Sequence, residues 1–251
     1  MMDTNPLNLS IIVPALNEQD LIMETYSEII SAISSLNKYE IIFVNDKSSD
    51  RTPLIMEEIA SSNKYVRVIH NKKNLGLGGS YKAGLKLSKL EYVIMVPGDN
   101  NFSSSTLSKL FSRIGDADII VPFHGNTDMV RSVFRRFTSE LFTRILNFAA
   151  RSDLKYYNSI VIHKAEILKG IPRIRDDFAY QADILIKLLK RGYTFEMVEI
   201  TLDERKIGET KAFKAKNVMK VSLFLISQLV QKIKFKKNLK EKKLIFLTFI
   251  T

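Results

Sequence analysis

A repeated pattern of strand, polar loop and helix constrains the fold of this chain more than any other feature. Short apolar runs at 9–13, 40–44 and 66–70 each lead into a polar loop and then a helical pattern. A fourth run, 92–96, ends in the turn Pro-Gly-Asp-Asn at 97–100. Strands that alternate with helices pair in parallel through right-handed crossovers. The pattern therefore predicts an α/β protein with a doubly wound, mostly parallel sheet and helices on both faces.

Apolar periodicity after residue 103 predicts further elements of the same sheet. The predicted elements are strands at 118–122, 156–163 and 194–202 and helices at 130–150 and 178–191. There is no internal repeat and no low-complexity linker. We therefore expect one α/β domain over residues 1–211, large enough to be a catalytic domain, and a separate tail over 212–251.

The positive charge of the chain is concentrated at its C-terminal end. Residues 205–251 hold 13 Lys and Arg against two Glu, which accounts for the whole net charge of +11. Residues 221–230 are uncharged, but a membrane span needs about 20 apolar residues. We predict an amphipathic basic helix that lies on an anionic membrane surface. The alternative is a helix packed on the domain, followed by a disordered basic tail.

Composition excludes several classes of protein. The chain has no cysteine, which excludes a disulfide framework and a cysteine metal site and favours a reducing compartment. The first ten residues lack the basic and apolar regions of a secretion signal. No nucleic-acid-binding fold signature is present, so no nucleic-acid partner is expected. These observations predict a cytoplasmic protein, peripheral to the cytoplasmic face of the membrane.

Carboxylates, an amide and glycines follow the predicted strands. They are Asp46, Asp50, Gly76, Gly78, Asp99 and Asn101. The carboxyl ends of parallel strands border the crevice where α/β proteins bind ligands. Carboxylate and amide oxygens suit a hard divalent cation, and backbone amides freed by glycines can hold phosphate. Ordinary tight turns explain the same residues equally well at this stage.

Five motifs, in order over residues 9–211, make the chain resemble the family 2 glycosyltransferases of the GT-A (Rossmann-like) fold. They are IIVPALNE, EIIFVNDKSSDRT, NKKNLGLGGSYKAG, VPGDNNF and ERKIGETK. The resemblance is greatest to the dolichol-phosphate mannose synthase-like branch, which makes polyprenyl-phosphate sugars.

The resemblance implies an inverting, metal-dependent hexosyltransferase that uses a UDP- or GDP-sugar as donor. A polyprenyl phosphate is the expected acceptor; a saccharide hydroxyl, or donor binding without catalysis, are the alternatives. Asp99 and Asn101 would hold Mg²⁺ or Mn²⁺ with the donor diphosphate. The residues implied at the donor nucleotide are Pro14, Asn17, Glu18, Asp46, Asp50, Gly76 and Gly78.

The same resemblance assigns residues to the acceptor and to catalysis. Arg136, Ser139, Arg205 and Lys211 are the candidates for an acceptor phosphate, and Asp99, Asp183 and Arg205 for catalysis. A lipid phosphate is already anionic near neutral pH and needs no general base. A hydroxyl acceptor would need one, and the available carboxylates are Asp176, Asp177 and Asp183.

The chain departs from the family pattern at several positions, and three of these lie in the motifs implied at the metal and the donor. Pro97 replaces the first acid of the D-x-D motif, Asn101 replaces the glutamine that often follows it, and Asn45 replaces the first of two acids in the second motif. The site loses one charged ligand, so we expect weaker metal affinity. His70, His124 and His163 show no metal-ligand spacing, and we expect structural roles for them.

Overall fold

The computed structural model describes residues 7–125 and 133–201, with backbone alone at 133–136, and then residues 223, 224, 226–228 and 230. The predicted boundary between domain and tail at 211–212 lies outside these residues.

The described residues form a seven-stranded mixed sheet in the order β3-β2-β1-β4-β6-β5-β7. The strands are β1 Asn8–Ala15, β2 Lys38–Asn45, β3 Val66–His70, β4 Tyr92–Met95, β5 Ile119–His124, β6 Ile162–Lys164 and β7 Phe195–Ile200. Only β6 runs antiparallel to its neighbours in this sheet. The prediction of a mostly parallel, doubly wound sheet is confirmed. Its order reverses between β1 and β4, and a crevice forms at such a switch point.

Helices cover both faces of this sheet. They are α1 Ile22–Ala32, α2 Thr52–Ser62, α3 Gly76–Leu87, α4 Ser104–Phe111, α5 Val133–Ala150, α6 Ala165–Lys169 and α7 Tyr180–Leu189. Because side chains alternate along a strand, β1 feeds two cores. Ile11 and Val13 pack in one core with α1, α2 and α4, whereas Ile12 packs in the other with α3, α5, α6 and α7.

The strand predicted at 156–163 is largely wrong. Only its end is extended, in β6, and the residues before it form bends and irregular backbone. The reason lies at Tyr157, which is fully buried and whose hydroxyl donates to Asn147 Oδ1 at 2.8 Å. The same hydroxyl lies 2.7 Å from Ser152 Oγ. These bonds hold the segment against the end of α5 instead of in the sheet.

The described part of the C-terminal segment packs on α7. Phe224 is 2% exposed and belongs to the core that contains α7, and its ring centroid lies 5.1 Å from the Arg175 guanidinium. Leu223, Ile226 and Val230 are exposed. Among the described residues, every helix falls short of the length and apolar content that crossing a membrane requires.

Candidate functional site

The loops that follow β1 and β2 are bound together by backbone and side-chain hydrogen bonds. Asn17 has a left-handed φ of 57°, and its Oδ1 accepts the N–H of Ser49 at 2.8 Å. Its own N–H donates to Ser48 Oγ at 3.0 Å. The next residue, Glu18, donates its N–H to Thr52 Oγ1 at 2.8 Å. The two motifs IIVPALNE and EIIFVNDKSSDRT therefore end in one joined unit.

Asp50 is a structural member of this unit. Its carboxylate accepts the N–H of Thr52 at 3.0 Å and the N–H of Gln19 at 3.2 Å. Burial raises the pKa of the Asp50 carboxyl, but the hydrogen bonds from Thr52 and Gln19 outweigh it and leave the pKa below its ordinary value. Asp50 is therefore a firmly anionic group that orders the loop after β2.

Asp46 connects β2 to the start of α3. It is 5% exposed. Its Oδ1 accepts from Asn71 Nδ2 at 2.9 Å and from the N–H of Leu75 at 2.7 Å, and its Oδ2 accepts from the N–H of Gly76 at 2.9 Å. Gly76 has a φ of 75°, which glycine adopts without strain. Both carboxylate oxygens are thus occupied in fixing the glycine-rich loop.

The glycines of this loop serve close packing. Gly78 donates its N–H to the carbonyl of Asp176 at 3.1 Å, and a Cβ at Gly78 would lie 2.3 Å from the carbonyl oxygen of Arg175. Gly76 donates its N–H to Asp46 and also to Asn74 Oδ1 at 3.1 Å. The expectation of amides exposed to a phosphate is corrected here, because both N–H groups donate within the chain.

Asp99 lies in a turn that is fixed from two sides. The N–H of Gly98 donates to the carbonyl of Pro14 at 3.0 Å, which ties the turn to β1. Asn100 has a φ of 51° and donates its N–H to Thr25 Oγ1 at 3.0 Å, which ties the turn to α1. Asp99 therefore lies just after the carboxyl end of β4. The switch point lies between β1 and β4, so Asp99 is on one side of it and the loop after β2 is on the other.

A divalent cation fits this turn if the donor brings part of the coordination. In the described part of the chain, no group of three histidines or acids is placed to hold a metal. Asp99 and Asn101 are both partly exposed and offer one carboxylate and one amide oxygen. Mg²⁺ commonly binds through one or two carboxylates together with substrate phosphates and water. The residues present therefore suit a metal that arrives with a diphosphate.

Asp183 lies on α7, outside the loops that follow β1, β2 and β4. It is 6% exposed, and its Oδ2 accepts from Lys187 Nζ at 2.6 Å. It borders a cavity of about 290 Å³ between α7 and the C-terminal segment, where burial lowers the pKa of Lys190. The lining residues are Arg175, Asp183, Ile186, Lys187, Lys190, Phe224, Ser227 and Gln228.

The two other candidate bases are also paired with cations. Asp177 accepts two hydrogen bonds from Arg175, at 3.0 Å from Nε and 2.5 Å from Nη2. Asp176 is exposed and forms an ion pair with Lys82. All three carboxylates proposed for proton removal are thus engaged by a basic side chain.

Most of the predicted acceptor residues lie outside the described residues. These are the side chain of Arg136 and the whole of Arg205 and Lys211. Ser139 is described and lies half-buried on α5.

Sequence reasoning missed two residues that organise the donor loops. Asn71 bridges Asp46 and Ser80, donating to Ser80 Oγ at 3.1 Å, and Ser48 joins the loops after β1 and β2. For Asn71 the available signal was a polar residue directly after a predicted strand. Ser48 carried a signal only as a member of the motif EIIFVNDKSSDRT, without a predicted role of its own.

Comparisons with known proteins agree with this architecture. The family model described as Glycosyl transferase family 2 matches residues 10–168. An uncharacterized protein of Methanocaldococcus jannaschii is 30% identical over 196 residues, which cover 72% of this chain and 82% of that protein. The undecaprenyl-phosphate 4-deoxy-4-formamido-L-arabinose transferase of Edwardsiella ictaluri is 26% identical over 81% of this chain and 62% of its own length. The dolichyl-phosphate beta-glucosyltransferase of Dictyostelium discoideum is 34% identical over 45% of this chain and 36% of its own length.

Solved structures share the fold at low sequence identity. Glucosyl-3-phosphoglycerate synthase from Mycobacterium tuberculosis, solved with Mn²⁺, UDP and glucosyl-3-phosphoglycerate, superposes with a TM-score of 0.62 at 17% identity and covers 89% of this chain and 79% of its own. A mannosyltransferase from Pyrobaculum calidifontis, solved with GDP-mannose and Mn²⁺, gives 0.58 at 15% identity over 78% of this chain and 57% of its own. The family model covers well over half of the chain, and the fold is the GT-A fold that the motifs predict. This chain belongs to glycosyl transferase family 2.

Proposed function

We propose that this protein is an inverting glycosyltransferase that moves a sugar from a UDP- or GDP-sugar to a polyprenyl phosphate. The observation that carries the proposal is the placement of Asp99. Its turn is tied to Pro14 at the end of β1, while the joined loops at 17–19 and 45–52 follow β1 and β2 at the same edge of the sheet. A nucleotide held by those loops would point its diphosphate toward Asp99.

The residues of the donor site hold and orient the sugar nucleotide. Asp46 and Asp50 hold the loops that border the nucleoside, and Asp99 with Asn101 would hold Mg²⁺ or Mn²⁺ beside the diphosphate. When bound, such a cation neutralises charge that builds on the departing nucleoside diphosphate. The bond between the anomeric carbon and the diphosphate oxygen breaks as the acceptor oxygen forms its bond from the opposite side.

The ion pairs of the candidate bases favour a phosphate acceptor over a hydroxyl acceptor. A phosphate oxygen attacks without losing a proton, because its second pKa is near 6. A sugar hydroxyl would require a carboxylate that is free to take a proton. Asp177 and Asp183 instead accept hydrogen bonds from Arg175 and Lys187. Arg136, Ser139, Arg205 and Lys211 remain our proposal for holding the acceptor phosphate.

Two exposed apolar stripes support contact with the membrane that contains such a lipid. On α5, Phe137, Leu141 and Phe148 are spaced so that they share one helix face. A second stripe follows from the helical spacing of its members. It consists of Leu223, Ile226 and Val230. The net charge of +11 in residues 205–251 would attract an anionic leaflet. We therefore propose a peripheral position on the membrane.

The test is transfer by the full chain from a panel of UDP- and GDP-sugars, with Mn²⁺ or Mg²⁺. Each donor is assayed alone, with a short polyprenyl phosphate and with an oligosaccharide. The proposal predicts that the lipid stimulates nucleoside diphosphate release from one donor and yields a glycosylated lipid. Stimulation by the oligosaccharide alone would overturn the acceptor assignment. Donor binding without release under any condition would indicate a protein that has lost catalysis, as the loss of an acid at Pro97 would permit.

A further inference from the structure

We propose that His70 is a positioning residue for the donor loop at 45–52 and that it acts through Asn45. The inference rests on the proposed function, since it concerns the same nucleotide-binding loop. Asn45 is the last residue of β2 and is paired in register with His70, the last residue of β3. Asn45 stands where the family commonly has an acid, and it is 6% exposed. Its amide is therefore shielded from water and depends on protein partners.

The hydrogen bonds of Asn45 fix the direction of its amide. Asn45 Oδ1 lies 2.9 Å from the backbone N–H of Ser48, which can only donate. The NH₂ group must then face His70, where Asn45 Nδ2 lies 3.0 Å from His70 Nδ1. An NH₂ group can only donate, so Nδ1 must be the acceptor.

The second ring nitrogen of His70, Nε2, continues the same series of hydrogen bonds. With Nδ1 accepting, the ring proton lies on Nε2, which is 2.8 Å from Glu57 Oε1 on α2. The donated hydrogen bonds then run from Ser48 to Asn45, from Asn45 to His70 and from His70 to Glu57. Glu57 thereby selects the imidazole tautomer that Asn45 requires.

This chain of bonds ends on the donor loop. Ser48, whose N–H is held by Asn45, accepts the N–H of Asn17 on its own Oγ at 3.0 Å. If Nδ1 could not accept, the Asn45 amide would either leave its NH₂ group unpaired in a buried position or turn around. Turning around would place NH₂ against the Ser48 N–H and release the loop. The side chain of His70 is 44% exposed, so its loss removes little core packing.

Three substitutions separate this role from a packing role. In His70→Asn the amide group is attached one carbon from the backbone, at the distance of Nδ1, so an acceptor for Asn45 can be kept. In His70→Gln the amide reaches as far as Nε2 and keeps contact with Glu57 but not with Asn45. His70→Phe keeps an aromatic ring at this position and removes both side-chain hydrogen bonds, to Asn45 and to Glu57. The Asn and Gln variants therefore each keep one of the two hydrogen bonds, and the Phe variant keeps neither.

Donor titration and steady-state kinetics give the first readout. We expect the KM for the donor sugar nucleotide to rise roughly two- to tenfold in His70→Gln and His70→Phe, the effect of about one hydrogen bond. The His70→Asn variant should retain the wild-type KM, and kcat at saturating donor should be unchanged in all three. Equal KM values in all variants, or an equal loss in all three, would overturn the proposal.

A second readout separates this inference from the proposed function. If the wild type binds neither UDP nor GDP, the donor-site assignment fails, but the positioning role is still decided by amide hydrogen exchange at Ser48. Exchange at Ser48 should accelerate in the Gln and Phe variants and not in the Asn variant. Nitrogen chemical shifts of the imidazole should show the proton on Nε2 in the wild type. A proton on Nδ1, or unchanged Ser48 exchange in every variant, would refute the role of His70.

Discussion

The carboxylate of Asp46 accepts a hydrogen bond from the backbone N–H of Gly76, which is 30 residues away in the chain, at 2.9 Å. Asp46 also accepts hydrogen bonds from Leu75 and Asn71. One buried side chain therefore fixes the conformation of the loop that leads into α3. The GT-A motifs around Asp46 and Gly76 are therefore parts of one structural unit. A substitution at Asp46 should alter the conformation of the loops on the donor side of the crevice.

Substitution Asp46→Ala should reduce both stability and donor binding. It removes the three hydrogen bonds that Asp46 accepts, although Asn71 and Gly76 keep their second acceptors, Ser80 Oγ and Asn74 Oδ1. We expect a loss of about 2–4 kcal/mol in the free energy of unfolding. Donor affinity should fall at least about tenfold because the loop loses its anchor. Urea denaturation and nucleotide titration measure the two effects. Asn71→Ala is the control, since it removes only one of the three bonds to Asp46, together with the bond to Ser80 Oγ, and should cost less, about 1–2 kcal/mol. Equal effects of the two substitutions would contradict the central role of Asp46.

Gly78→Ala should destabilise the protein, although alanine favours helix. The new Cβ would lie 2.3 Å from the carbonyl oxygen of Arg175, and that backbone must move to admit it. We expect a cost of at least about 2 kcal/mol in thermal or urea unfolding. Gly170→Ala is the matched control, because its Cβ would meet nothing closer than 3.4 Å. A neutral Gly78→Ala variant would show that α3 and the segment at 175–180 do not pack as described.

His163 should make the protein less stable in mild acid. Burial lowers the pKa of His163 to about 3 from its ordinary 6.5. Between these values the unfolded chain binds a proton that the native state excludes, so stability falls as pH falls. From pH 7 to pH 5 this amounts to about 2 kcal/mol. Asp50 and Asp118, whose pKa values are lowered, stay ionised throughout this range and contribute only in stronger acid.

Urea unfolding of the wild type and His163→Leu at pH 7 and pH 5 checks this expectation. The variant should lose about 2 kcal/mol less over the interval. The other two histidines are present in both proteins, so their contribution cancels in the comparison. An identical pH dependence in both proteins would mean that His163 is not buried in its neutral form.

The stripe Leu223, Ile226 and Val230 should contribute to membrane binding. Changing all three to serine removes apolar area at the surface while leaving buried Phe224 and every positive charge in place. We expect binding to vesicles of anionic lipid to weaken at least about tenfold, because each exposed aliphatic side chain contributes about 1 kcal/mol or more when buried. Co-sedimentation measures it, with neutral vesicles as the control. Wild-type binding by the triple variant would exclude this stripe and leave the positive charge and the stripe on α5 as the causes.

The fold was predictable from periodicity because most strands are continuous apolar runs. The bounds predicted for β3, 66–70, match the structure, and β1 and β2 differ only at their ends. The segment at 156–161 was not predictable, because its apolar residues are equally compatible with a strand. Its conformation depends on hydrogen bonds between Tyr157 and Asn147 at the end of α5.

The position of the candidate residues at the ends of strands was predictable, whereas the contacts of each residue were not. A polar residue after a buried strand indicates the ligand-binding edge of such a sheet, and this pattern predicted the placement of Asp46 and Asp50 after β2 and of Asp99 after β4. Their partners depend on tertiary contacts: Gly78 packs on Arg175, almost a hundred residues later, and no local pattern encodes that contact. The sequence prediction left Asp183 as a free base, whereas the structure pairs it with Lys187, four residues later on α7. That i,i+4 spacing is a local signal that the prediction did not use.

Calorimetric titration of the full chain with UDP and GDP, with Mn²⁺ present and after chelation, tests the central claim most directly. The account predicts that one nucleotide binds with Mn²⁺, that chelation weakens the binding, and that Asp99→Ala removes this metal dependence while the circular dichroism spectrum is unchanged. Absence of binding for both nucleotides would contradict the proposed donor site. Binding that is equally tight without metal and in Asp99→Ala would remove Asp99 from the mechanism.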